Sequence, residues 1–162
     1  MRKTQLHMIS LALLMTPGAS YAQETQNVTF DASVADSCIL TVTDGKLSLS
    51  QSGKLLGSEE PGGSAAFLFL YSSGNPPKLV FDAPALTSSP AQFVPDAVEI
   101  SYYSGNRFVQ AYTSALSSVQ EEDLVDDFVV HARVLHETGF PAGDYEVMTV
   151  ATCGAEPPVG ST

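Results

Sequence analysis

The side chains that could do chemistry are few, and their spacing does not assemble a site. His131 and His136 stand five residues apart. On a strand they face opposite sides, and on a helix they are splayed, so neither supports a metal centre. The acidic run Glu121, Glu122, Asp123, Asp126 and Asp127 has the oxygen chemistry of a calcium site but lacks the D-x-D-x-D-G spacing, and it reads as a solvated loop. Serines are abundant, yet there is no G-x-S-x-G, no phosphate-binding loop and no dinucleotide fingerprint. No nucleophile–base or carboxylate pair can be placed. The chain therefore reads as a non-enzyme, with no catalytic residue, no metal and no cofactor expected. Tyr102, Tyr103 and Tyr112 surround a Ser-Gly-Asn turn and form a candidate ligand-contacting patch, with core packing as their plainer use. Asn27-Val28-Thr29 is a formal glycosylation sequon.

Cys38 and Cys153 remain, and what they do depends on compartment. Residues 1–22 begin with Arg2 and Lys3, continue as the short apolar run MISLALLM, and end with Ser20 and Ala22 at the −3 and −1 positions. That is the layout of a cleaved secretory signal peptide. The expected mature chain starts at Gln23, and its location is the periplasm, the cell surface or the medium. In an oxidising compartment two cysteines pair by default, and C-x-x-C is absent. A Cys38–Cys153 disulfide is expected, with both residues on the apolar side of alternating strands.

The mature chain keeps five basic side chains against eighteen acidic ones, a formal charge of −13. Such a surface repels nucleic acid and anionic lipid, so neither nucleic-acid binding nor stable membrane insertion is expected. The apolar residues are ordinary in number and patterned, which argues for a packed domain.

The elements that would position these residues are strands. NVTFDASVADSCILTV, residues 27–42, carries Val28, Phe30, Ala32, Val34, Cys38, Leu40 and Val42 on one face and is interrupted once, at Asp36. Asp44-Gly45 reads as a turn. AAFLFLYS is apolar on both faces, as a strand covered on both sides would be. Residues 84–96 contain three prolines and read as an irregular connection. AVEISYYSGNRFVQAYTS reads as a hairpin around Ser104-Gly105-Asn106. Residues 121–138 fit a helix with Leu124, Phe128, Ala132 and Leu135 on one side, or a strand; β-branched content favours a strand over 128–136. In the last strand Tyr145, Val147, Thr149, Ala151 and Cys153 share a face. Many short strands, Gly/Pro turns and no firm helix predict an all-β antiparallel sandwich over 23–154, with a loose tail at 155–162.

Three stretches resemble a known family. VTFDASVADSCIL is similar to the opening of chaperone–usher pilin domains, where an alternating segment runs into a cysteine. FPAGDYEVMTVATC resembles their closing strand. GGSAAFLFLYSSGNPPKLVF lies where the spore-coat-U-type pilins carry a second strand and a second cysteine; here Tyr71 stands near that cysteine's place. The resemblance implies an immunoglobulin-like sandwich, a structural role at the cell surface, and strand exchange between subunits. Val28, Phe30, Ala32 and Val34 would then be the inserted side chains. Partners would be further copies or related subunits, and a periplasmic chaperone. Two alternatives stand beside this: Val28–Val42 as one edge strand bent by a bulge at Asp36, and a self-contained extracellular binding module.

Overall fold

The computed structural model describes residues 29–32, 35–105 and 107–154. The expected signal peptide and tail lie outside these residues, as do Val28 and Val34. Residues up to Ala32 form one compact unit and those from Ser33 onward another. In the first unit, Thr29–Ala32 form no strand, so the extended segment expected before Asp36 is not strand there.

The second unit is all antiparallel β. Its strands are β1 (Cys38–Thr43), β2 (Ser48–Leu49), β3 (Leu55–Gly57), β4 (Ala66–Ser72), β5 (Lys78–Phe81), β6 (Ala85–Ser88), β7 (Ala97–Ser104), β8 (Arg107–Thr113), β9 (Ser117–Gln120), β10 (Val125–Leu135), β11 (Glu146–Met148) and β12 (Ala151–Gly154). The larger sheet runs β1–β4–β10–β7–β8, with β3 taking over from β4 along the second half of β10 and β2 paired to β3. The opposing layer is β12–β5–β9, prolonged by β11–β6. Asp82 N donates to Val150 O (2.9 Å), and Thr149 Oγ1 donates to Asp82 O (2.7 Å), carrying the pairing across the break.

Alternation decides which side chains meet between the layers. Leu68 and Leu70 from β4, Ile100 and Tyr102 from β7 and Phe128 from β10 face Leu79 and Phe81 from β5, and together they form the buried core. The Phe81 and Tyr102 ring centroids lie 4.3 Å apart. Each such side chain contributes about 1.5–3 kcal/mol by leaving water. The Tyr102 hydroxyl donates to Ser117 Oγ at 3.1 Å, so its polar tip is satisfied.

The strand reading of 128–136 holds as far as Leu135, within β10, which starts earlier at Val125. Phe128 and Val134 are fully buried at even spacing, whereas Leu124, which a helical stripe would bury, is exposed. The β7–β8 hairpin also forms where expected, with Ser104 paired to Arg107.

Three expectations need correction. AAFLFLYS is not covered on both sides. Leu68 and Leu70 are buried, but Phe67, Phe69 and Tyr71 are 55%, 42% and 42% exposed. The second layer covers one face of this sheet. On the other face these rings stand in register with Thr43, Thr41 and Ile39 of β1 and with Val129, Asp127 and Val125 of β10. Asp44-Gly45 makes no hairpin, because β1 pairs with β4, while Lys46 bridges to Ser64. Gly45 is instead a point of close approach: a Cβ there would come 2.7 Å from Ser64 O and from Ala66 N. Finally, residues 84–96 are not wholly irregular, since they contain β6.

Asp36 lies outside any strand. Ser73 N donates to Ser37 O (3.0 Å), Ser37 N donates to Ser73 Oγ (3.0 Å), and Ser73 Oγ donates to Ala35 O (3.1 Å). Residues 35–37 thus prolong the line of β1 past Cys38. The exposed Asp36 carboxylate occupies the space that a side chain at Gly74 would need.

Candidate functional site

The two layers do not close along one side. β1 has β4 on one edge, and β11 and β12 have β6 and β5 on one edge; no described strand pairs with their other edges. Between these free edges runs a groove of about 520 Å³. Leu40, Leu68, Phe81 and Val130 line it with Val147 and Ala151, and a cleft of about 120 Å³ beside it reaches Ile100 and Ala132. Val42 and Met148, on opposite rims, are 55% and 51% exposed. The cause is visible in the alternation. The free-edge strands point apolar side chains inward, and no further strand among the described residues covers them.

The Cys38–Cys153 disulfide ties β1 to β12 at one end of this groove, with Cα atoms 6.0 Å apart. The expected pairing is present, and it links the early strand to the last one. Of the four expected exchange residues, Val28 and Val34 lie outside the described residues. Phe30 is 92% exposed, and Ala32 is exposed as well.

The candidate chemical groups are dispersed. His131 sits on the outer face of β10, stacked on Tyr103 with ring centroids 5.8 Å apart. His136 follows the end of β10 and packs against Phe93 at 4.8 Å. Glu122, Asp123 and Asp127 are exposed, while Asp126 accepts a hydrogen bond from Ser104 Oγ. Among the described residues no group of three or more His, Cys, Asp or Glu side chains is arranged to hold a metal.

One pairing escaped sequence reading because its members are 73 residues apart: Ser58 Oγ lies 3.0 Å from His131 Nδ1. The hydroxyl is buried and already accepts the Ala132 N–H at 3.1 Å, which commits it to holding β3 against β10.

The three tyrosines divide between the two faces. Tyr102 is core. Tyr112 lies under the Arg133 guanidinium, 3.8 Å from Cζ to ring centroid, and its hydroxyl donates to Glu59 Oε2 at 2.6 Å. Arg133 Nε in turn donates to Glu99 Oε2 at 2.7 Å. Burial first, and then the bond to Glu59, push the Tyr112 phenol up to about 12. A raised acid pKa favours the neutral form in the folded chain. Its stabilising contribution is therefore complete below the ordinary phenol value of 10.0 and is lost as pH rises through about 12. In an alkaline titration followed by phenolate absorbance, Tyr112→Phe should remove a step from the late end of the curve. Loss of an early step instead would contradict this placement.

No protein-family model matches the chain, and no curated protein matches it. What the described residues define by themselves is a class: an all-β, two-layer, disulfide-tied domain with one side left open among them.

Proposed function

We propose that this protein is an exported, pilin-like structural subunit that assembles by donating the segment Val28–Val34 to the groove of another copy. The observation that carries this reading is the open side itself. On this reading β1–β4–β10–β7 and β9–β5–β12 would be the two layers of an immunoglobulin-like sandwich, and the groove would be the place of the strand that a neighbour supplies.

The dimensions suit the segment. The edge that lines the groove, from Glu146 to Ala151, is about 20 Å long at ~3.3 Å per residue, against about 23 Å for Val28–Val34. Val28, Phe30, Ala32 and Val34 alternate, so a strand laid in the groove would point all four toward Leu40, Leu68, Phe81 and Val130. Strand addition would also satisfy the free backbone groups of the β1 and β11 edges. Residues 35–37 prolong β1 outward along Ser73, so the chain leaves the groove's disulfide-tied end heading away from its own groove. An intermolecular acceptor suits that exit better than self-insertion. Before assembly the groove needs temporary cover, the role of a chaperone in the exporting compartment.

The test is the state of assembly. Wild-type protein should form ladders that resist SDS until heated. Phe30→Asp should abolish them, because the groove loses about 1.5–3 kcal/mol of apolar burial and would also have to desolvate a carboxylate. Protein lacking residues 23–35 should capture a synthetic 23–35 peptide. Wild type that stays monomeric at high concentration without a chaperone, together with a peptide that does not bind, would leave a self-contained module as the correct description.

A further inference from the structure

Apart from the groove, the domain has a cleft of about 670 Å³ built from three connections, which shares no lining residue with the groove. They are the β2–β3 turn, the β6–β7 connection and the β10–β11 connection. Its size is that of a small-molecule site. Phe93 is the centre of an aromatic cluster, with ring centroids 4.8 Å from His136, 5.4 Å from Phe140 and 5.2 Å from Tyr145. The connections are seated on one another, for a Cβ at Gly143 would come 2.5 Å from Pro90 Cγ. The wall is therefore preformed.

The cleft also holds the one described non-glycine residue with a positive φ, Gln92, at 65°. It stands third in a turn closed by Phe93 N donating to Pro90 O at 3.1 Å. That position suits glycine, and a residue with a Cβ is strained there. Stability alone does not account for glutamine at such a place. Gln92, however, is one of the residues that line the cleft, with Lys54 and Thr138, whose hydroxyl lies 3.3 Å from His136 Nδ1. Lys54 is the only formally charged side chain in the lining of this strongly acidic protein, and the lining contains no carboxylate. Apolar surface comes from Phe93, Phe140 and Val94, the last 74% exposed.

An apolar wall bordered by an amide, a hydroxyl and an ammonium matches a ligand with one C–H face and a rim of hydroxyls. From this we infer that the polar cleft is a saccharide-binding site, in which a pyranose ring packs on Phe93, Phe140 and Val94 while Gln92, Lys54 and Thr138 bond its hydroxyls. The site is independent of strand exchange, and monomeric protein would carry it.

Saturation-transfer NMR on the mature protein, with neutral methyl hexosides and a methyl uronoside as probes, tests the assignment. Transfer to the pyranose ring protons is expected. Gln92→Gly separates function from folding: it should raise Tm by about 2–5 °C by relieving the turn, yet weaken binding about 3- to 10-fold by removing one hydrogen-bonding group. Lys54→Gln, away from the aromatic cluster, should weaken binding with Tm unchanged. Absence of transfer from every probe at about 10 mM would overturn the proposal, because even weak sites saturate there. Unaltered binding by Gln92→Gly and Lys54→Gln would overturn it equally.

Discussion

Replacing Cys38 and Cys153 together by alanine should lower stability by about 4–5 kcal/mol. The bond spans a sequence separation of 115 residues. The chain-entropy model gives roughly 4.7 kcal/mol for a 100-residue loop, and slightly more for this one. A domain of this kind is stable by only about 5–15 kcal/mol, so the cross-link is a large part of the total. It also joins the two strands that flank the open groove, where no backbone pairing holds β1 to β12. Urea unfolding should show the midpoint falling by about 2 M at a typical slope. A shift of a few tenths molar would mean that the core holds the free edges together without covalent help.

The second large effect is expected from Phe128→Ala, at about 3–5 kcal/mol. Phe128 has no exposed surface. It lies in register with Leu68 on one side and Ser104 on the other, and the Tyr102 ring meets it edge-on at 6.3 Å. Strands on both sides restrict collapse into the void, which places the cost in the upper part of the range. Val125→Ser, three residues earlier on the same strand but half exposed, should change stability by no more than about 0.5 kcal/mol. Denaturant melts of both variants, with the disulfide intact, make the comparison. Equal effects would contradict the inward and outward assignment of β10.

The architecture was legible wherever period-two alternation coincided with burial on one face. That was so for β10, for the β7–β8 hairpin, and for the series Val147, Thr149, Ala151 and Cys153. The disulfide followed from there being two cysteines and from the export expected of residues 1–22. It was not legible that Phe67, Phe69 and Tyr71 face outward. A residue's hydrophobicity states what burial would gain, and says nothing about whether a second layer exists to provide it. Gly45 looked like a turn glycine because Asp-Gly is a turn pair; its actual constraint is the backbone of Ser64 and Ala66, which no local pattern contains. The groove was expected only through the family resemblance, and for a related reason no local pattern shows it. An open side is the absence of a strand, and the sequence records only the strands that are there. The polar cleft was missed because Gln92, Lys54 and Phe140 come from three separate connections, and Gln92's backbone conformation has no signature in its identity.

The position of the disulfide also has a mechanical meaning. Tension applied between the segment ahead of Cys38 and the chain beyond Cys153 passes from one cysteine to the other through the sulfur atoms. The residues between them carry none of that load. Such a pull can straighten only segments outside the two cysteines, while the core and the polar cleft between them stay slack and folded. Along this axis the domain behaves as a nearly inextensible link.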